Sequence, residues 1–139
     1  MRGRRIAFDY GDVRTGVALC DPDAILASPL CVLHSKDKDF LTQIKNLIIE
    51  HQPIRIFIGL PVNMSGSEGE SVEKVRIFAA ALAELVDLPI SMVDERLSTV
   101  SAQKQLKEAG VSTRASKELI DAMAAVAILE QGLLREDLD

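Results

Sequence analysis

The opening stretch, residues 4–21 (RRIAFDYGDVRTGVALCD), constrains the fold more than any other part of the chain. Ile6 and Phe8 alternate with Ala7 and Asp9, and Val17 and Leu19 alternate with Ala18 and Cys20. Gly11 and Asp12 lie between the two runs, so the stretch predicts a β-hairpin with a polar turn. Asp9 falls inside the first strand, where a carboxylate is uncommon because a buried charge needs a partner. With the turn centred between Asp12 and Val13, Asp9 lies opposite Gly16. That glycine carries no side chain, so the space beside Asp9 is expected to stay open for a metal ion or a phosphate.

The 139 residues are expected to form one domain, burying roughly two thirds of their unfolded surface. Hydrophobic residues at 47% and charged residues at 27% are the balance of a soluble globular protein. No apolar run reaches the length needed to cross a bilayer, and Met1-Arg2-Gly3-Arg4-Arg5 leads into a strand without a signal-peptide core. The expectation is a cytoplasmic protein with no membrane partner. Cys20 and Cys31 then read as free thiols, because a turn at Pro22-Asp23 places Cys20 across from residues near Ile25. The net charge of −5 argues against indiscriminate coating of nucleic acid but leaves room for a local basic strip. Arg2, Arg4, Arg5 and Arg14 cluster early, and Lys104, Lys107, Arg114 and Lys117 late; taken singly, each reads as a solvated surface charge.

Residues 24–33 read as a third strand, placed at the sheet edge or bulged by Pro29. Over residues 35–51 the period changes: Phe40, Ile44, Leu47 and Ile48 share a helical face, with Asp37 and Asp39 in the first turn. Residues 54–60 are nearly all apolar, as in a central parallel strand covered on both faces. A loop of Gly, Ser, Pro and Asn follows over residues 60–69. The next helix, residues 70–86, buries Val72, Val75, Phe78, Ala79, Leu82 and Val86. Residues 90–93 form the last strand, residues 97–109 a third helix stopped by Gly110, and residues 117–134 the final helix, with 135–139 frayed. Three antiparallel strands followed by two strand–helix alternations predict an α/β fold with a five-stranded mixed sheet.

Ligand sites in such sheets lie at the carboxyl ends of parallel strands. Asp9 is near the end of the first strand, and Asp94-Glu95-Arg96 follows the last. Asp121 lies in the final helix above Ala124, Ala125 and Ile128 at spacings of three, four and seven, which suggests a carboxylate turned inward on a helix allowed close to the sheet. Three converging carboxylates repel one another unless a cation sits among them, and hard ions such as Mg²⁺ take oxygen ligands. Two such ions can activate a water and stabilise the departing oxygen in phosphodiester hydrolysis. Each acid also has a plain structural reading: Asp121 facing a helix dipole, Glu95 as a surface partner of Arg96, Asp9 as a packed strand residue. His34 and His51 have no metal-ligand spacing and carry no assigned role.

The run AFDYGDVRTGVA at residues 7–18, IGLPVNMSGSEG at 58–69, DERLST at 94–99 and DAMAAVAIL at 121–129 resemble, in order and spacing, the YqgF family, also called RuvX. These are Holliday junction resolvase-like enzymes, also described as pre-16S rRNA nucleases. The resemblance runs almost end to end. It implies an RNase H-like fold, metal-dependent phosphodiester cleavage in RNA or branched DNA, and a role in maturing small-subunit ribosomal RNA. Carrying the family's acids across gives Asp9, Glu95 and Asp121 as catalytic and metal-holding residues, with Mg²⁺ or Mn²⁺ in a two-metal site. In the wider resolvase superfamily the second acid often ends the fourth strand. Here that strand ends in Gly59-Leu60-Pro61, so Glu95 must supply the acid from the fifth. Asp94 is an adjacent candidate, since strand alternation points the two to opposite faces.

Nucleic-acid contacts are expected from Arg14, Asn63, Ser65, Ser67 and Arg96, with the backbone amides of Gly66 and Gly69 beside the loop hydroxyls. Arg96 is placed either to steady the scissile phosphate or to hold Glu95. Three readings compete: a metal-dependent nuclease acting on pre-16S rRNA or on a Holliday junction; phosphotransfer, by likeness to the phosphate loop of actin-like ATPases and sugar kinases; and a non-catalytic ribosome-assembly or nucleic-acid-binding factor. Partners are then nucleic acid and ribosomal particles. The chain shows no clear dimer stripe, so monomer and homodimer both stay open.

Overall fold

The computed structural model describes residues 2–62, 69–97 and 114–138. The hairpin forms as its alternation requires: β1 (Arg5–Asp9) pairs antiparallel with β2 (Arg14–Cys20), and Asp9 stands opposite Gly16. β3 (Ala27–His34) pairs antiparallel with β2 and forms one edge of the sheet. Opposite Val17 stands Cys31, but opposite Ala18 stands Pro29, so one extra residue is accommodated where proline cannot donate to the ladder. The strand begins three residues later than expected. Asp21 accepts backbone N–H bonds from Asp23, Ile25 and Leu26, and this local turn holds residues 21–26 out of the ladder.

α1 (Phe40–His51) also begins later than its apolar period suggests. Asp39 occupies the cap and accepts from Gln43 Nε2 at 2.9 Å, while the Phe40 amide bonds back to the Asp37 carbonyl; both acids therefore precede the helix. β4 (Arg55–Leu60) lies parallel to β1, α2 (Glu70–Leu85) returns across the sheet, and β5 (Ile90–Asp94) pairs parallel with β4. A short 3₁₀ turn (Glu95–Leu97) follows, and α3 (Arg114–Leu138) closes the described chain. The sheet order β3-β2-β1-β4-β5 is the five-stranded mixed sheet expected, with the first strand at its centre. The helix expected over residues 97–109 lies outside the described residues beyond Leu97. Among the described residues no helix is long and apolar enough to cross a membrane. Cys20 and Cys31 are free thiols.

The two faces of the sheet are built from different residues. Ile6, Phe8, Ile56 and Ile58 meet Phe40, Ile44, Phe78 and Leu82 of α1 and α2, a thick layer of large side chains. On the other face, Ala7, Ala18 and Phe57 meet Ala124, Ala125, Ile128 and Leu129 of α3. Small residues on both partners let α3 approach the strands closely, so polar atoms on this helix come within reach of the sheet.

Two sequence expectations are corrected at the far end of α3. Residues 135–138 are helical rather than frayed, and Arg5 is a buried anchor rather than a solvated charge. The Arg5 guanidinium donates from Nε and Nη2 to the two carboxylate oxygens of Glu136 at 3.2 and 3.1 Å, and from Nη1 to the carbonyls of Gly3 and Arg2. Arg55 adds a second cation 3.5 Å from Glu136. A forked, bidentate pair between β1 and the last turn of α3 pins the helix where sequence position alone suggested release. Removing one partner leaves the other charge buried, so Glu136→Ala should lower unfolding free energy by roughly 3 kcal/mol in urea titrations. It should also raise amide exchange in the last turn of α3; unchanged stability would mean that the pair does not hold the helix.

Candidate active site

Asp9 is the last residue of the central strand and shares the α3 face with Ala7, two residues before it. Its neighbour on β2 is Gly16. On the other side the parallel ladder pairs Phe8 with Ile58 and Gly59 with Val93, so one further step brings Asp9 level with Gly59. A row Gly16–Asp9–Gly59 thus crosses three adjacent strands, with the carboxylate between two residues that have no side chain.

The glycines do not leave open space, which corrects the expectation for Gly16. A Cβ at Gly16 would run into the Asp121 carbonyl oxygen, its carbonyl carbon 2.6 Å away and the Ala122 amide nitrogen 3.1 Å away. The backbone of α3 occupies that place. A Cβ at Gly59 would meet the Ile128 side chain and would lie 2.9 Å from Glu95 Oε1. Each glycine therefore receives one of the other two acids: Gly16 seats the α3 turn that carries Asp121, and Gly59 seats the Glu95 carboxylate. Asp9, Glu95 and Asp121 are 6%, 4% and 6% exposed. That burial excludes the surface reading of Glu95, and α3 begins seven residues before Asp121, so this acid is not in the first turn that the dipolar reading needs.

The role of Gly59 was missed in the sequence, where it registered only as the lack of an acid at the end of β4. The available signal was a lone glycine in an otherwise bulky strand, level with Asp9 once β1 and β4 are paired in parallel.

The basic residues fall differently from expectation. Arg14 Nε donates to Asp121 Oδ2 at 2.7 Å, across 107 residues of sequence. The guanidinium expected at a nucleic-acid backbone is bonded to the third acid. Arg96 turns to Asp94, with Nη2 2.7 Å from Oδ2 and the Arg96 amide donating to Oδ1 at 2.9 Å. The structure separates the two adjacent acids accordingly, with Glu95 buried on the α3 side and Asp94 on the exposed side with Arg96. The Arg96 hydrogen bond, opposed by partial burial and assisted by the charge of Arg135, holds the Asp94 carboxyl below its ordinary range. Asn63, Ser65, Ser67 and Gly66 lie outside the described residues. Gly69 is the residue that caps α2. A cavity of about 180 Å³ lined by Tyr10, Gly11, Asp12, Pro61, Ser71 and Lys74 opens on the α2 side of the β1–β2 turn, and none of the three acids lines it. Lys74 pairs with Asp12 there at 3.0 Å.

The donor chemistry of the three acids fits a hard divalent cation: carboxylate oxygens only, supplied by three separate elements on one face. Their positions are less convergent than the sequence suggested. Among the described residues, no three His, Cys, Asp or Glu side chains form a group able to hold one ion. Asp121 turns one oxygen to Arg14, a cationic partner that favours its charged form.

A central Asp flanked by two glycines, with acids delivered from the tail of β5 and from α3, defines an RNase H-like α/β fold with an acidic site at the carboxyl end of its middle strand. The structure titled T. thermophilus RuvC in complex with Holliday junction substrate superposes with a TM-score of 0.57, covering 96% of both chains at 11% identity. A second, titled Thermus thermophilus RuvC structure, gives 0.54 at 12% identity. At such identities the likeness is one of fold.

Sequence relationships are closer. The profile of the RuvX family, described as Holliday junction resolvase, matches residues 3–135, and the chain belongs to that family. A Streptomyces avermitilis protein is 43% identical over 137 residues, covering 97% of this chain and 88% of its own length. A Rhodococcus opacus protein is 44% identical over 97% of this chain and 79% of its own length. A Maridesulfovibrio salexigens protein is 42% identical over 94% of this chain and 97% of its own length. All three carry the name "Putative pre-16S rRNA nuclease".

Two outcomes test this geometry. Because the atom facing Gly16 is helix backbone, which cannot swing aside, Gly16→Ala should cost about 3 kcal/mol or more in denaturant titrations, at the upper end for overpacked sites. A near-neutral effect would place α3 farther from the sheet. Carboxyl NMR should find Asp94 titrating below the usual aspartate range, and Arg96→Gln should return it upward. The sign follows from linkage: the pair's contribution to stability is present above the ordinary aspartate value and is lost as pH falls through the depressed one.

Proposed function

We propose that this chain is a metal-dependent nuclease that hydrolyses phosphodiester bonds, acting in the cytoplasm on the 5′ end of pre-16S rRNA in ribosomal precursor particles. The observation that carries the reading is the burial of Asp9, Glu95 and Asp121 on one face, over the row where α3 crosses the central strands. Burying three carboxylates is costly, and packing gains nothing from acids in these positions. The names carried by the relatives support pre-16S rRNA as the substrate.

Asp9 and Asp121 hold the ions, and Glu95 is the ligand or orienter of the attacking water. Mg²⁺ or Mn²⁺ bound there, as a pair of ions, would supply a water activated at neutral pH and charge stabilisation for the departing oxygen. The protein supplies rigidity. Asp9 is fixed by its pairing with Gly16 on β2, Asp121 by helix backbone against Gly16, and Glu95 by its seat over Gly59. Arg14, Arg96, Asn63, Ser65 and Ser67 are proposed to engage phosphate oxygens of the strand. The family's description favours a second reading, a Holliday junction resolvase. Junction cleavage needs two such sites across a two-fold axis, so that reading requires a dimer.

The test is a cleavage assay with Mg²⁺ or Mn²⁺ on precursor rRNA, single-stranded RNA and four-way DNA junctions side by side. Cleavage of the precursor is expected. Cleavage confined to junctions would transfer the activity to the second reading, and cleavage of none, with salt-sensitive RNA binding, would leave a non-catalytic assembly factor. Asp9→Asn should abolish cleavage while the circular dichroism spectrum stays that of the parent; an active variant would remove Asp9 from the chemistry. Millimolar Mg²⁺ or Mn²⁺ should raise the melting temperature of the parent by a few degrees, because an ion that binds only the folded state stabilises it. A metal-independent melting point would count against the ion site.

A further inference from the structure

We propose that the cavity beside the β1–β2 turn is a subsite for an unpaired base of the substrate strand, and that its lining fits guanine. The inference deepens the nuclease reading above and rests on it for the identity of that strand. Tyr10 follows Asp9 directly, and alternation sends the two to opposite faces of the sheet. Asp9 shares the α3 face with Ala7, and Tyr10 packs in the aromatic layer on the α2 side. The cavity, about 180 Å³, is lined by Tyr10 and Asp12 after β1, Pro61 after β4, and Ser71, Lys74 and Val75 from α2. The carboxyl ends of adjacent parallel strands are where such sheets receive ligands. A strand placed with a phosphodiester at Asp9 lies within one residue of this rim.

Charge and shape select the occupant. Lys74 Nζ lies 3.0 Å from Asp12 Oδ2 and 3.9 Å from Glu70 Oε1, so the ammonium is outnumbered by the carboxylates it faces. That balance disfavours a phosphate and admits an uncharged heterocycle. Tyr10 stacks on Phe78 with ring centroids 4.6 Å apart and 20° between their planes, so the aromatic part of the lining is firmly backed. Unpaired bases are held by such rings together with hydrogen bonds to their Watson–Crick edges. Here the Asp12 carboxylate only accepts, the Lys74 ammonium only donates, and the Ser71 hydroxyl does both. Guanine carries two adjacent donors, N1–H and N2–H₂, beside the O6 acceptor. The carboxylate and the ammonium match that edge, Asp12 taking the two donors and Lys74 serving O6. Adenine offers a single exocyclic donor there. Lys74 and Asp12 are 44% and 60% exposed, so their own pairing is worth little and is readily shared with a ligand.

The chain contains one tyrosine, Tyr10, so selective ¹³C labelling of tyrosine gives ring signals that report this cavity alone. The test is an NMR titration of the labelled protein, without added metal, against guanosine monophosphate (GMP) and adenosine monophosphate (AMP), with ribose 5-phosphate as the probe that lacks a base. GMP should shift the Tyr10 signals saturably and bind roughly tenfold more tightly than AMP, within the span of one good bidentate base contact. Ribose 5-phosphate should leave the signals in place. Asp12→Asn, at an exposed position, should abolish the preference for GMP over AMP, and Lys74→Gln should weaken GMP severalfold. Equal shifts from ribose 5-phosphate would make the cavity an anion site, and binding indifferent to the base or to Asp12→Asn would remove guanine recognition; either result overturns the proposal. So would unmoved Tyr10 signals at millimolar GMP, whether or not the protein cleaves RNA. GMP binding by a protein that cleaves nothing would strike the nuclease reading and leave the base site standing.

Discussion

The close seating of α3 on the sheet is the constraint from which the rest of this structure follows. It depends on the lack of a side chain at Gly16, which lets the backbone around Asp121 rest on β2. The alanines along the inner stripe of the helix continue the same contact, and Arg5 closes it with a bidentate grip on Glu136. A helix held from Asp121 to Glu136 is a rigid arm. Rigidity matters because positioning a carboxylate for chemistry on another molecule tolerates only small errors.

The same seating explains how three acids come to lie buried together. A carboxylate at the end of a central strand is flanked by neighbouring strands, and ordinary residues there would cover it with their side chains. Glycine at both flanking positions instead admits polar groups from elsewhere: helix backbone on one side and the Glu95 carboxylate on the other. The cost of burying negative charge is met at Asp121 by Arg14, whose bond to it is as much a part of the site as the acids themselves. Asp94, one residue from Glu95, faces the exposed side and is held by Arg96, so two adjacent carboxylates have separate surroundings.

Much of this was legible in the sequence, and the legible parts are those governed by short-range pattern. Alternation and a polar turn set the hairpin register, which placed Asp9 opposite Gly16. Pro29 marked the bulged edge strand. Ala124, Ala125 and Ile128 marked the buried stripe that turns Asp121 inward. What the sequence concealed depends on pairs far apart in the chain. Arg5 and Glu136 are separated by 131 residues and Arg14 and Asp121 by 107, so neither pairing leaves a local trace. For that reason the end of α3 read as frayed and the bond between Arg14 and Asp121 went unread. Gly16 and Gly59 show a subtler difficulty. A missing side chain read as empty space or a missing acid, whereas in the fold it is the place another element fills.

The measurement that bears most directly on the central claim is anomalous diffraction from a crystal of the parent protein soaked in Mn²⁺. The account predicts a peak bonded to Asp9 on the α3 face, with Glu95 and Asp121 among its ligands. Manganese bound away from Asp9, or no peak at an ion concentration that supports cleavage, would contradict it.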